Sequence, residues 1–88
     1  LTSGMNLTTV DVLTANNKRI KGLLVDAIEH GTHPWLSGLH EGDIILSVNQ
    51  TRVNDLDGFT KQLQQQDTKK TILLTVLRHQ QRFFVALD

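Results

Sequence analysis

The run from Gly38 to Val53, Gly-Leu-His-Glu-Gly-Asp-Ile-Ile-Leu-Ser-Val-Asn-Gln-Thr-Arg-Val, constrains this chain more than any other stretch. Gly38 is placed as a helix stop, and Glu41, Gly42 and Asp43 form a tight polar turn. Ile44 to Val48 is an apolar run of strand length, and Asn49-Gln50 turns the chain back. A buried strand entered through a glycine turn is the centre of a small domain. The 88 residues suffice for one core and are too few for two.

The rest of the chain is read around that strand. Gly4 precedes the alternating pair Met5 and Leu7, which predicts a strand entered from a glycine turn. Val10 and Val12 take the other parity, which predicts a bulge or bend near Thr8-Thr9. Asn16-Asn17-Lys18-Arg19 is a polar turn leading to a second strand over Gly22 to Ile28, apolar on both faces from Leu23 to Val25. Glu29 to Thr32 is a loop, and Pro34 to Leu39 is a helix of one to two turns. Val53 returns as a short extended piece, and Asn54 or Asp55 caps a helix running to about Gln65. On that helix Leu56, Phe59 and Leu63 share one face with Gln62 at its border. Gly58 inside it costs up to about 1 kcal/mol relative to alanine, a local softening. After a polar linker from Gln64 to Lys70, Thr71 to Leu77 and Arg82 to Leu87 form a closing hairpin around His79-Gln80-Gln81. The fold class is mostly β with two helices, α+β.

Gly-Leu-x-x-Gly-Asp-Ile-Ile-x-x-Val-Asn, from Gly38 to Asn49, resembles the signature of PDZ domains, most closely those of HtrA/Deg serine proteases. The likeness covers nearly the whole chain, and the short connection at Asn16-Asn17 resembles the second, C-terminal PDZ domain of that family. It implies a partly open β-sandwich of five to six strands in the circularly permuted HtrA order. It also implies a carboxylate-binding loop at Thr2, Ser3, Gly4 and Met5, with a peptide backbone pairing along Met5, Asn6 and Leu7. The opposite wall of that groove is implied at Leu56, Phe59, Gln62 and Leu63, with Phe59 assigned first to the ligand and Leu63 first to the core. Physically, Gly4 either helps successive N–H groups cradle a carboxylate or only starts a strand. The family usually carries an apolar residue where Ser3 stands and a small one where Trp35 stands. Trp35 is either a packing variant or an exposed contact for a neighbouring domain.

The resemblance further implies that residues 1–88 are a fragment from the C-terminal part of a larger protease. That parent would carry a trypsin-like catalytic domain, assemble as a homo-oligomer based on trimers, and serve protein quality control in the bacterial periplasm or cell envelope. The partners implied are peptide or unfolded-protein segments and other domains of the same protease.

Composition and motifs narrow the function classes. Nine basic and nine acidic residues give zero formal charge, which disfavours nucleic acid and anionic membranes as partners. With no cysteine there is no disulfide framework and no thiolate metal site. The longest strictly apolar run, Phe83 to Leu87, is far short of a membrane span. Ser3, Ser37 and Ser47 sit in no catalytic motif, and there is no phosphate-binding or dinucleotide fingerprint. His30, His33 and His40 lack a carboxylate or cysteine at ligand spacing, so no metal or other cofactor is expected. Asp26 and Glu29 read as surface charge, and Lys18-Arg19-Lys21 and Lys69-Lys70 are too small for nucleic-acid recognition. Two classes remain: a peptide-binding module working by strand addition, or a degenerate PDZ domain serving oligomer assembly or interdomain docking. An independent enzyme has no residue constellation behind it.

Overall fold

The computed structural model describes residues 4–13, 16–66 and 71–87. The elements run β1 (Met5–Leu13), β2 (Arg19–Ile28), α1 (His33–Leu36), β3 (Ile44–Val48), β4 (Thr51–Arg52), α2 (Leu56–Gln65), β5 (Ile72–Arg78) and β6 (Gln81–Leu87). Every strand pair is antiparallel, and the strands form one open sheet in the order β1-β2-β3-β5-β6, with β4 paired to β3. β3 has the bounds its flanking turns predict. It is flanked by β2 and β5, so that Leu23, Ile45 and Val76 lie side by side, each 0% exposed. Val25, Ile28, Leu39, Val48, Val53, Phe59, Ile72, Leu74, Val85 and Leu87 complete the buried interior around them.

The irregularity of the first hairpin is not where the parity of β1 predicts it. Thr8 and Thr9 pair regularly with Leu24 and Leu23, and the register slips instead between Asn6 and Leu7. The extra residue is Asp26 of β2, whose carboxylate accepts a hydrogen bond from the Thr8 hydroxyl. The change of parity in β1 has another cause. Met5 and Leu7 pack on the main core, whereas Val10 and Val12 are half-buried beside Gly22 and Ile20 on the other face. Gly22 is needed there, because a Cβ would lie 2.7 Å from both the Ile44 Cγ2 and the Ile45 carbonyl oxygen.

Two hairpin turns carry two left-handed residues each, Asn49 (φ 47°) with Gln50 (φ 73°) and His79 (φ 51°) with Gln80 (φ 65°). Two consecutive positive φ values match the right-handed twist of the flanking strands. Gln81 therefore belongs to β6, not to the turn. Asn49 does more than turn: its side-chain Oδ1 accepts from Leu73 N at 2.8 Å, while its own N–H donates to the Leu73 carbonyl at 2.7 Å.

α1 is shorter than its proline-to-glycine spacing predicts, ending at Leu36 with Ser37 as its C-cap. Gly38, at φ 110°, turns the chain so that Leu39 enters the core at 0% exposure. In the next turn Asp43 is 1% exposed, and both of its carboxylate oxygens accept hydrogen bonds. Arg78 donates through Nε to Oδ1 at 2.7 Å and through Nη2 to Oδ2 at 2.6 Å, and His40 N–H donates to Oδ2 at 2.9 Å. Nη2 also reaches the Gly38 carbonyl at 2.9 Å, so one guanidinium fastens both ends of the loop to β5.

Of the two capping candidates for α2, Asp55 is the one used, its Oδ1 accepting from Gly58 N at 2.7 Å. Gly58 is thus the third helical residue, and a Cβ there would stand 3.1 Å from that same oxygen. Asp55→Ala is expected to cost about 1 kcal/mol, which a thermal melt reads as a fall in Tm of roughly 4–8 °C.

Candidate functional site

β1 is the terminal strand of the sheet, and α2 lies across from it. Between them runs a groove of about 330 Å³ lined by Met5, Asn6 and Leu7 on the strand side and Leu56, Phe59, Thr60 and Leu63 on the helix side. The helix residues recur at the spacing of one helical face. None of the seven is charged. Met5, Leu7 and Leu63 are partly buried and packed against the core, whereas Leu56 is 48% exposed at the rim.

The roles of the two wall residues differ from the expectation. Phe59 is 2% exposed and belongs to the core, forming the floor of the groove, while the half-buried Leu63 presents more surface to it. The helix lies close enough to the sheet that the middle of its apolar stripe is covered. Gln62 is half-buried but stands outside the lining, and Thr60 takes its place. Thr60 was available from helical arithmetic: at about 100° per residue it falls nearer the centre of the Leu56, Phe59, Leu63 stripe than Gln62 does.

At the amino end of β1, Gly4 has φ +86°, and its carbonyl accepts from Glu29 N at 2.7 Å. A side chain there would be strained by that φ, and its Cβ would meet the Thr32 methyl at 2.6 Å. Thr2 and Ser3, the other residues of the expected loop, lie outside the described residues. A second recess of about 350 Å³ adjoins the groove across Met5 and Asn6 and is lined further by Gly4, Ala27, Ile28 and Glu29.

Two other features help to hold the fold. A polar recess of about 380 Å³ is lined by His40, Glu41, Gly42, Asp43, Arg78 and His79. Within it Asp43 and Arg78 are paired with each other, and the hydrogen bond to Asp43 raises the Arg78 pKa above its ordinary value. The Ser37 hydroxyl donates to the His33 carbonyl at 2.8 Å, and Ser47 is 6% exposed within β3. Among the described residues no three His, Asp or Glu side chains gather to hold a metal ion, and no helix is long and apolar enough to cross a membrane. Trp35 fits neither expectation completely: it is 36% exposed, yet its ring stacks on His30 at 4.9 Å with 28° between planes.

Comparison with known proteins matches this architecture. The chain is similar to the HtrA-type protease AlgW, solved with a decapeptide, at 19% identity and a TM-score of 0.76 over 97% of this chain. It spans 27% of the AlgW chain, so it corresponds to about a quarter of that protein. It is also similar to the PDZ domain of EpsC from Vibrio cholerae, residues 219–305, at 21% identity and a TM-score of 0.66, covering 96% of this chain and 92% of that one. The HtrA3 PDZ domain bound to a phage-derived ligand, FGRWV, matches at 17% identity and a TM-score of 0.69, covering 97% and 88% respectively. At these identities the likeness shows the fold. No curated protein matches the sequence. The PDZ-domain family profile matches residues 3–77, the greater part of the chain and the part that builds both walls of the groove, and the chain therefore belongs to the PDZ-domain family.

Proposed function

We propose that this domain is the peptide-binding module of an HtrA/Deg-type serine protease, taking an extended segment, internal or C-terminal, by strand addition to β1 and so regulating or feeding the protease. The observation that carries this reading is the groove itself: an uncharged slot beside a terminal strand, with an apolar floor and a helix for its far wall. Strand addition suits such a slot because the edge supplies main-chain hydrogen bonds and the wall takes every second side chain. AlgW with its decapeptide and the HtrA3 domain with its pentapeptide share this fold, which supports the reading. The parent, in this reading, is an oligomeric endopeptidase of the bacterial periplasm or cell envelope, with this domain itself performing no hydrolysis.

Affinity is expected to be modest. Phe59 is already covered, so a ligand gains mainly from Leu56, Leu63 and Met5. A dissociation constant no tighter than micromolar, about −8 kcal/mol or weaker, follows for the isolated domain. The test is an NMR titration with short peptides rich in apolar residues. Shifts are expected at residues 4–8 and 56–63 and should saturate at high micromolar concentration or above. The second reading, a docking or assembly role, is favoured by Trp35 and its neighbour Leu36, which is 69% exposed. Shifts confined to those residues, or no peptide binding from a domain that does bind a protease or sister domain, would establish that reading instead.

A further inference from the structure

We propose that β6 is a self-association edge, pairing antiparallel with β6 of a second copy of this chain about a two-fold axis at Phe84. The proposal is independent of the groove, since β6 lies at the opposite end of the sheet from β1. Among the described residues nothing pairs with its outer side. Edge strands in monomeric proteins are ordinarily blunted by proline, lysine, a bulge or shortness. β6 runs for seven residues, Gln81–Leu87, with no proline, no lysine and an unbroken register against β5. Arg82 is its one charge, and Phe84 is 68% exposed.

The turn decides which main-chain groups of β6 face outward. His79 and Gln80, both at positive φ, close on Arg78 and Gln81 as a hydrogen-bonded pair. Pairs alternate from there, so Gln81, Phe83, Val85 and Leu87 spend their N–H and C=O groups on β5, whereas those of Arg82, Phe84 and Ala86 point away from it. A second copy turned end for end, with Phe84 opposite Phe84, uses all three outward positions on both strands. Phe84 exchanges its two bonds with its counterpart, and Arg82 exchanges its two with Ala86. This is the self-complementary contact that a two-fold axis requires.

Charge favours a second copy as the occupant. Arg82 falls opposite Ala86, and the two arginines stand about 13 Å apart along the strands, beyond the screening length of about 8 Å at physiological salt. Centring the pair on Arg82 would instead oppose two like charges. The chain carries zero formal charge, so no long-range repulsion holds two copies apart. Val85 and Leu87 are buried on the core face, so Phe84 stands on the other face, beside half-buried Thr75, where the two rings become cross-strand neighbours. One strand edge and two rings cover less than the roughly 1,200 Å² of stable interfaces, so the dimer of the isolated domain is reversible and forms at millimolar, not micromolar, concentration.

The experiment is a dilution series from millimolar to low micromolar concentration, followed by amide NMR shifts and by sedimentation, for the native domain, Phe84→Lys, Phe84→Glu and the two variants mixed in equal amounts. Phe84 is exposed, so both variants are expected to melt like the native domain. Native amides at residues 81–87 should move with concentration while the sedimenting mass rises toward that of a dimer. Each variant alone sets two like charges face to face and should stay monomeric, whereas the mixture sets lysine against glutamate and should associate again. A native domain that stays monomeric throughout, variants that associate as well as the native one, or a mixture that does not recover association each overturns the proposal. Shifts at residues 4–8 and 56–63 accompanying those at 81–87 would mean that β6 enters the groove of another copy, which also overturns the two-fold pairing.

Discussion

Ile45→Asp is expected to leave the domain unfolded at room temperature. Ile45 is 0% exposed at the middle of the sheet, with Leu23 on one side and Val76 on the other, both also fully covered. A carboxylate placed there has no partner and no water. It either stays charged at a prohibitive desolvation cost or takes up a proton and still leaves polar atoms unsatisfied. Lost apolar burial and the stranded carboxyl together amount to at least about 4–5 kcal/mol. A domain this small sits toward the lower end of the usual range of about 5–15 kcal/mol. Circular dichroism and a urea titration should therefore show no cooperative transition, and a near-native melt would mean that Ile44 to Val48 is not the central strand.

The second large effect belongs to the Asp43–Arg78 pair, and it is expected to be asymmetric. Asp43 is 1% exposed, whereas the Arg78 side chain retains 26%. Arg78→Met would strand a buried carboxylate with only the His40 N–H for company, a cost of about 3–5 kcal/mol. Asp43→Ala would free a guanidinium that can turn to water or keep its bond to the Gly38 carbonyl, although the Asp43 end of the loop would lose its fastening. Its cost is expected to be smaller, about 1–3 kcal/mol. Arg78 also lies over the Phe83 ring, with Cζ 5.3 Å from the centroid, and methionine replaces part of that packing. Urea midpoints should fall in the order native, Asp43→Ala, Arg78→Met. Equal midpoints for the two variants would show that the pair acts through loop fastening alone, without the buried charge.

The pattern of legibility follows from which interactions are local. β3 was readable to the residue because a glycine-aspartate turn and an asparagine turn bracket it within a few positions, and α2 was readable because Asp55 can cap only what directly follows it. The parity of β1 misled because alternation records which side chains are covered, not what covers them. Its two halves are covered on opposite faces by different parts of the chain. Phe59 and Leu63 were correctly placed on one stripe, but the depth of each depends on how closely the helix approaches the sheet, a distance no periodicity encodes. Asp43 read as a turn residue, and nothing near it in sequence announced Arg78, which arrives from the far end of the chain.

The bulge at Asp26 bears on how such a domain can change over evolutionary time. Adding or removing one residue in a regular strand turns every later side chain to the wrong face, so strands ordinarily accept substitutions but not length changes. Here the extra residue is absorbed where it stands. The pairs from Leu7 with Val25 to Leu13 with Arg19 keep their register, and beyond the bulge Met5 meets Ile28 and Gly4 meets Glu29. Take Asp26 away, and Ala27 follows Val25 directly, so that Asn6 with Ala27, Met5 with Ile28 and Gly4 with Glu29 keep their partners in a regular ladder. A single-codon deletion at this point thus leaves both halves of the hairpin paired as they are and removes only the bulge and its Thr8 hydrogen bond, which makes it a site where this strand can change length.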